Sequence, residues 1–171
     1  EMGRLDQKRV LITGAGSGIG AGFATAMANE GATIGILDLN LEAAQKVADQ
    51  IVSDGGSAIA LAADVADRSQ IAAAIQKFVA FASGLDVIFN NAGFNKPMPL
   101  LEVTEENFNA IMRVNGLGVL IGIQEAAKVM ISQGTGGKII NTSSVAGRQG
   151  YPDFAPYSAS KFAVNALTQA A

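Results

Sequence analysis

Between Arg9 and Gly20 the chain passes from a short apolar run into a glycine-rich turn and then into a helical pattern, and few architectures accommodate that order. Arg9-Val10-Leu11-Ile12-Thr13 is apolar nearly throughout, the pattern of a parallel strand buried on both faces. Gly14-Ala15-Gly16-Ser17-Gly18-Ile19-Gly20 follows, and the helix after it is expected to bury Ile19, Phe23, Ala26 and Met27. A second strand, Thr33 to Leu37, ends in Asp38, 20 residues beyond Gly18. Glycines let a backbone approach a pyrophosphate, free N–H groups at a helix start face its charge, and a strand-terminal acid accepts hydrogen bonds from an adenosine ribose. The unit therefore predicts a bound dinucleotide. For Asp38 alone, a capping acid in a tight turn remains the alternative.

The alternation continues down the chain. Ala44, Val47, Ala48 and Ile51 form a helical stripe closed by Gly55-Gly56, and Ser57 to Ala63 reads as a third strand ending at Asp64-Val65. Asp67 is placed to cap a helix with Ile71, Ala74, Ile75, Phe78 and Ala82 on one face. Leu85 to Phe89 is a fourth strand, followed by Asn90-Asn91-Ala92-Gly93, and Lys138 to Thr142 a fifth, ending at Ser143-Ser144. Strands alternating with helices predict an α/β fold, a Rossmann-like, doubly wound parallel sheet with helices on both faces, in one domain over residues 1–171. Ligands of such sheets bind at the carboxyl ends of the strands, where Gly14, Asp38, Asp64, Asn91 and Ser144 all fall. Gly134-Thr135-Gly136-Gly137-Lys138 has the look of a phosphate-binding P-loop, but it precedes a strand and lacks the Ser/Thr after its lysine, so it is read as a turn.

Two absences narrow the chemistry. The chain has no cysteine and no histidine. That removes thiolate nucleophiles, Cys-ligated zinc, the commonest general base and any Ser-His-Asp triad, and no metal site is expected. Acid–base work is left to Tyr, Lys, Asp or Glu. Tyr157 and Lys161 stand four apart, on one face if the segment is helical, and Pro156 suits a first helical turn. A free tyrosine titrates near ~10, and a fixed positive charge within about 4–6 Å favours the phenolate. The bland alternative is a surface helix with a lysine lying along a tyrosine ring. Thr104-Glu105-Glu106 opens another helix, whose buried stripe Phe108, Ile111 and Met112 leads to Asn115. Asn115 either makes a structural hydrogen bond to a neighbouring strand or organises water beside Lys161; the residues alone do not choose.

With a net charge of −3 the chain has no basic footprint for nucleic acid. No apolar run is expected to span a bilayer, no secretory segment precedes the first strand, and the default reading is cytoplasmic, without a membrane partner. Glu1 ahead of Met2 reads as a leftover of cloning.

Taken together these motifs resemble the short-chain dehydrogenase/reductase family over essentially the whole chain, in the glycine spacing Thr13-Gly14-x-x-x-Gly18-x-Gly20, in Asn90-Asn91-Ala92-Gly93, Asn115, Ser144 and Tyr157-x-x-x-Lys161. The resemblance implies that Tyr157 exchanges a proton with the substrate oxygen while a nicotinamide gives or takes a hydride. Lys161 would tune Tyr157 and hold the nicotinamide ribose. Ser144, 13 residues before Tyr157, would hydrogen-bond the reacting oxygen, with Ser143 its structural neighbour. Asn115 would position a water leading from Lys161 to solvent. Cofactor contacts would come from Gly14, Ser17, Gly18, Ile19 and Gly20 at the turn, Asp38 and Leu39 at the ribose, Asp64 and Val65 at the adenine, and Asn91, Ala92 and Gly93 along the cleft. Asp38 would repel a 2′-phosphate, and neither Ser17 nor Leu39 supplies a cation for one, so NAD is expected over NADP.

The stretch from Gly147 to Phe162 looks most like acetoin/butanediol and polyol or sugar dehydrogenases, so the resemblance implies a secondary alcohol or ketone of that kind, in a pocket lined by Asn95, Ser144, Gln149, Tyr151, Phe154 and Tyr157. A 3-oxoacyl thioester reductase is the alternative within the family, and a dinucleotide-sensing protein without catalysis the alternative outside enzymes, disfavoured because Ser144, Tyr157 and Lys161 are all present. The family also implies a homo-oligomer, dimer or tetramer, with the long helices after Thr104 and Ala155 at the interface. Its members continue past the Tyr-Lys helix with further strands, a lid and a C-terminal segment, so the chain as written is expected to lack part of the fold and to be inactive by itself.

Overall fold

A computed structural model describes residues 3–171, leaving Glu1 and its cloning reading outside the described residues. The elements run β1 (Arg9–Thr13), α1 (Gly18–Asn29), β2 (Thr33–Asp38), α2 (Leu41–Ser53), β3 (Ser57–Ala62), α3 (Arg68–Ala82), β4 (Val87–Asn90), α4 (Glu105–Met112), α5 (Gly118–Gln133), β5 (Lys138–Asn141) and α6 (Ala155–Ala170). All strand pairs are parallel, in the order β3-β2-β1-β4-β5. The order reverses between β1 and β4, and a crevice opens there at the carboxyl ends.

Burial explains the continuous apolar strands. Side chains alternate across a strand, so Val10, Ile12, Ile34 and Ile36 pack on one face of the sheet with Ala24, Ala44, Ala48 and Ile51 of α1 and α2. Leu11, Leu37 and Ile88 point the other way, against Ile71, Ile75 and Phe78 of α3 and Ile121 and Met130 of α5. Phe78 lies over Gly35, where any Cβ would meet its ring. Arg9 ties the start of β1 to the turn before β4: its guanidinium pairs with both oxygens of Asp86 at 2.7 Å, and this charge-assisted bond holds the Asp86 carboxyl below its usual range.

The expected caps are present. Asp67 Oδ1 accepts from the N–H groups of Ser69 and Gln70, and Thr104 Oγ1 from that of Asn107. The Gly134 turn closes α5 in the left-handed conformation and leads into β5. The stripe on α1 needs correction: its buried positions are Gly20 and Ala24, while Ile19 is 72% exposed over the glycine turn. Small residues let α1 lie close to the sheet, and Phe23 packs at its edge on Phe89, ring centroids 5.0 Å apart. On α4, Phe108 is likewise exposed and Ile111 is the buried anchor.

Between α4 and α5 the helix widens into a π-helical turn, Arg113–Leu117, holding Asn115. The expectation about membranes is corrected in one respect. Glu105–Gln133 runs as 29 helical residues, long and apolar enough by length and composition to cross a bilayer. More than half of its apolar stretch is buried in this fold, with Ile121, Ala126 and Met130 in the main core, so a core helix passes the same test.

Candidate active site

At the β1/β4 crevice lies a groove of about 650 Å³. Its floor is the glycine turn. Gly14 and Gly18 have φ of 63° and 53°, and a Cβ on Gly20 would collide with the Gly14 carbonyl oxygen. At Gly18 nothing lies within 4 Å of where a side chain would stand. Ser17 makes no side-chain capping bond, so no side chain claims the first-turn N–H groups of α1. Open space, a close backbone and uncapped donors at a helix start suit an anionic phosphate group.

The acids stand where the spacing put them. Asp38 Oδ2 accepts from the Gly16 N–H at 2.9 Å and Oδ1 from the Asn40 N–H at 3.0 Å, which fixes its carboxylate at the groove edge. Asp64 Oδ1 accepts from the Ala66 N–H, and its Oδ2 pairs with Arg113 of the π turn at 3.2 Å. Asn91 braces the crevice: its side-chain amide donates to the Thr13 carbonyl at 3.2 Å, while Thr13 Oγ1 accepts from the N–H groups of Asn91 and Ala92.

Tyr157 and Lys161 enter the groove from α6, which begins at Ala155 with Pro156 in its first turn. Lys161 is 4% exposed; its Nζ donates to the Thr142 carbonyl at 2.8 Å and lies 5.6 Å from the centre of the Tyr157 ring. Burial pushes the Lys161 ammonium below its ordinary range, because the charged form has lost water. Phe154 meets the Tyr157 ring edge-on, centroids 6.3 Å apart. Asn115 is fully buried. Its Nδ2 donates to the Phe94 carbonyl at 2.9 Å and to Ser160 Oγ at 3.1 Å, and its Oδ1 accepts from the Phe94 N–H at 3.0 Å. The side chain is a brace, though to a loop and a helix and not to a strand.

One groove thus collects Gly14, Ser17, Gly18, Ile19, Gly20, Asp38, Leu39, Asp64, Val65, Asn91, Ala92, Gly93, Asn95, Tyr157 and Lys161. Ser144 stands outside it, lining a neighbouring cavity of about 740 Å³ with Arg148 and Asn165, and its Oγ accepts from the Ala146 N–H at 3.1 Å. Gln149 and Tyr151 bond each other at 2.8 Å beyond the groove, in the loop that leads to Phe154. The motifs miss Thr142 and Ser160, and they contain Thr13 without giving its side chain a role. The two threonines end β1 and follow β5, so the strand-end rule reaches them. Ser160 Oγ donates to the Tyr157 carbonyl at 2.7 Å while accepting from Asn115, a link that no motif announces.

Comparison with known proteins adds three findings. A family profile described as short chain dehydrogenase matches residues 8–171. Sorbitol dehydrogenase of Cereibacter sphaeroides is 42% identical over 98% of this chain and 64% of its own length, and L-2,3-butanediol dehydrogenase of Corynebacterium glutamicum 40% identical over 96% and 64%. The crystal structure of a gluconate 5-dehydrogenase from Burkholderia cenocepacia J2315, in complex with NADP and tartrate, superposes with a TM-score of 0.92 at 42% identity, covering 98% of this chain and 65% of that one. The chain therefore spans about 64% of the length of the curated relatives it matches.

Proposed function

This chain belongs to the short-chain dehydrogenase family, and on that premise we propose that the full-length protein is an NAD-dependent oxidoreductase interconverting a secondary alcohol and a ketone. One observation carries the reading: a tyrosine and a buried lysine share a single groove with the glycine turn and a strand-end aspartate. When bound, a nicotinamide dinucleotide supplies the hydride acceptor or donor. The backbone N–H groups at the start of α1 would hold its pyrophosphate, Asp38 its adenosine ribose, and Asp64 and Val65 its adenine. Tyr157 would give or take the proton at the substrate oxygen. Lys161, clamped by the Thr142 carbonyl, would supply positive charge beside that phenol and hold the second ribose. Asn115, braced on Phe94 and Ser160, would keep the groove wall and α6 in register. Ser144 would hydrogen-bond the reacting oxygen, which requires its hydroxyl to reach the groove from the neighbouring cavity it lines here.

The substrate class is drawn from the relatives: sorbitol, 2,3-butanediol and galactitol dehydrogenases stand among them, and small diols and polyols are proposed here. NAD is preferred because the fixed Asp38 carboxylate opposes a 2′-phosphate and the exposed Leu39 beside it carries no charge. The test is NADH formation by the purified full-length protein against diols, polyols and 3-hydroxyacyl thioesters. Turnover of thioesters alone would overturn the substrate class. Replacing Asp38 by Ala and Leu39 by Arg should move the NADP:NAD ratio of kcat/KM upward by about 100-fold, a few kcal/mol of reversed charge contact. An unmoved ratio removes the cofactor argument.

A further inference from the structure

Asn95 lines the groove together with Tyr157 and Lys161. Its Oδ1 is buried, and among the described residues no donor reaches it. A buried acceptor without a partner bears its full desolvation penalty, and native proteins leave few such atoms. The backbone on both sides is pinned. Phe94 is gripped through its N–H and its carbonyl by Asn115, and the Met98 N–H donates to the Asp153 carbonyl at 2.9 Å. The segment cannot sag to relieve the orphaned oxygen, which leaves the amide itself as the part free to turn.

Position gives this orphan a meaning. Two residues earlier, a Cβ on Gly93 would stand 3.7 Å from Lys161 Nζ, so the segment starts beside the proton-handling pair. A ligand hydroxyl suits a turning amide, because it donates to Oδ1 and accepts from Nδ2. A hydrocarbon branch would leave Oδ1 unpaired, and a thioester carbonyl brings no hydrogen to it.

We propose that Asn95 is a specificity-determining residue that reads a second hydroxyl next to the reacting carbon, selecting vicinal diols, α-hydroxyketones and polyols over simple secondary alcohols. The proposal rests on the oxidoreductase reading above. On binding, the amide turns into the groove and exchanges an orphaned position for a paired one.

The test compares 2,3-butanediol with 2-butanol, and acetoin with 2-butanone in the reverse direction, using the full-length enzyme. Wild type should favour the hydroxylated member of each pair. Asn95→Leu should lower that preference, read as the ratio of kcat/KM values, by about tenfold or more, while Asn95→Asp, which keeps an acceptor in place, should retain most of it. NADH fluorescence titration reports whether each variant keeps its fold, and Asn95→Ala gives the same readout should the leucine variant fail. An unchanged ratio in a variant that binds NADH overturns the proposal while the oxidoreductase reading stands. A wild type that turns over none of the four compounds takes away the substrate class proposed above, and this inference with it.

Discussion

Tyr157→Phe in the full-length enzyme should reduce kcat by about 10²–10⁴-fold, the usual worth of a positioned general acid or base. The substitution removes one oxygen and little else. Phe154 keeps its edge-on neighbour, and Lys161 keeps an aromatic face 5.6 Å from its nitrogen and its bond to the Thr142 carbonyl. The glycine turn, Asp38 and Asn91 are untouched, since Asp38 accepts from the Gly16 N–H and Asn91 donates to the Thr13 carbonyl. NADH affinity by fluorescence titration should therefore stay near wild type while turnover collapses. That split separates loss of proton transfer from loss of the site. Residual kcat within tenfold of wild type would take the Tyr157 hydroxyl out of the reaction and leave the groove as a binding site.

What could be read in advance follows from how local each signal is. The strand–turn–helix from Arg9 to Asn29 is specified by adjacent residues, and the crevice residues sit at strand ends, so a linear pattern locates them. The buried face of α1 is not legible in the sequence because Gly20 and Ala24 allow a closer approach to the sheet than a large apolar stripe would. The π turn at Asn115 was not legible either. It depends on α5 packing tightly: a Cβ on Gly118 would meet Val65, and one on Gly122 would strike the Asn90 side chain. Those glycines break no local rule; their partners are distant in sequence. The same holds for Ser160, whose two partners lie three residues back on α6 and across the interface with the π turn. Ser144 follows a strand, but which cavity it faces depends on the turn Val145–Gly147, whose Ala146 N–H its hydroxyl accepts from.

Lys161→Met should abolish turnover to a similar extent and make the protein more stable, a combination that only a functional buried charge produces. Lys161 is 4% exposed with one hydrogen bond, to the Thr142 carbonyl, and no salt bridge to any acid among the described residues. Desolvation therefore dominates, and it lowers the ammonium's pKa from 10.5. The sign follows from proton counting. Below the lowered folded pKa, Lys161 is charged in both states, so the folded state bears the whole penalty and pH has no leverage. Between that pKa and 10.5 the unfolded chain binds more protons than the folded one, and stability rises with pH as the penalty disappears. Methionine matches the unbranched stem and carries no charge at any pH. At pH about 7 the variant should have the higher Tm, and the gap should close as the pH approaches 10.5. Thermal unfolding of both proteins across that range gives the answer. A variant less stable than wild type at neutral pH would mean that the bond to Thr142 outweighs desolvation, and that the lysine is held there for the fold as much as for the chemistry.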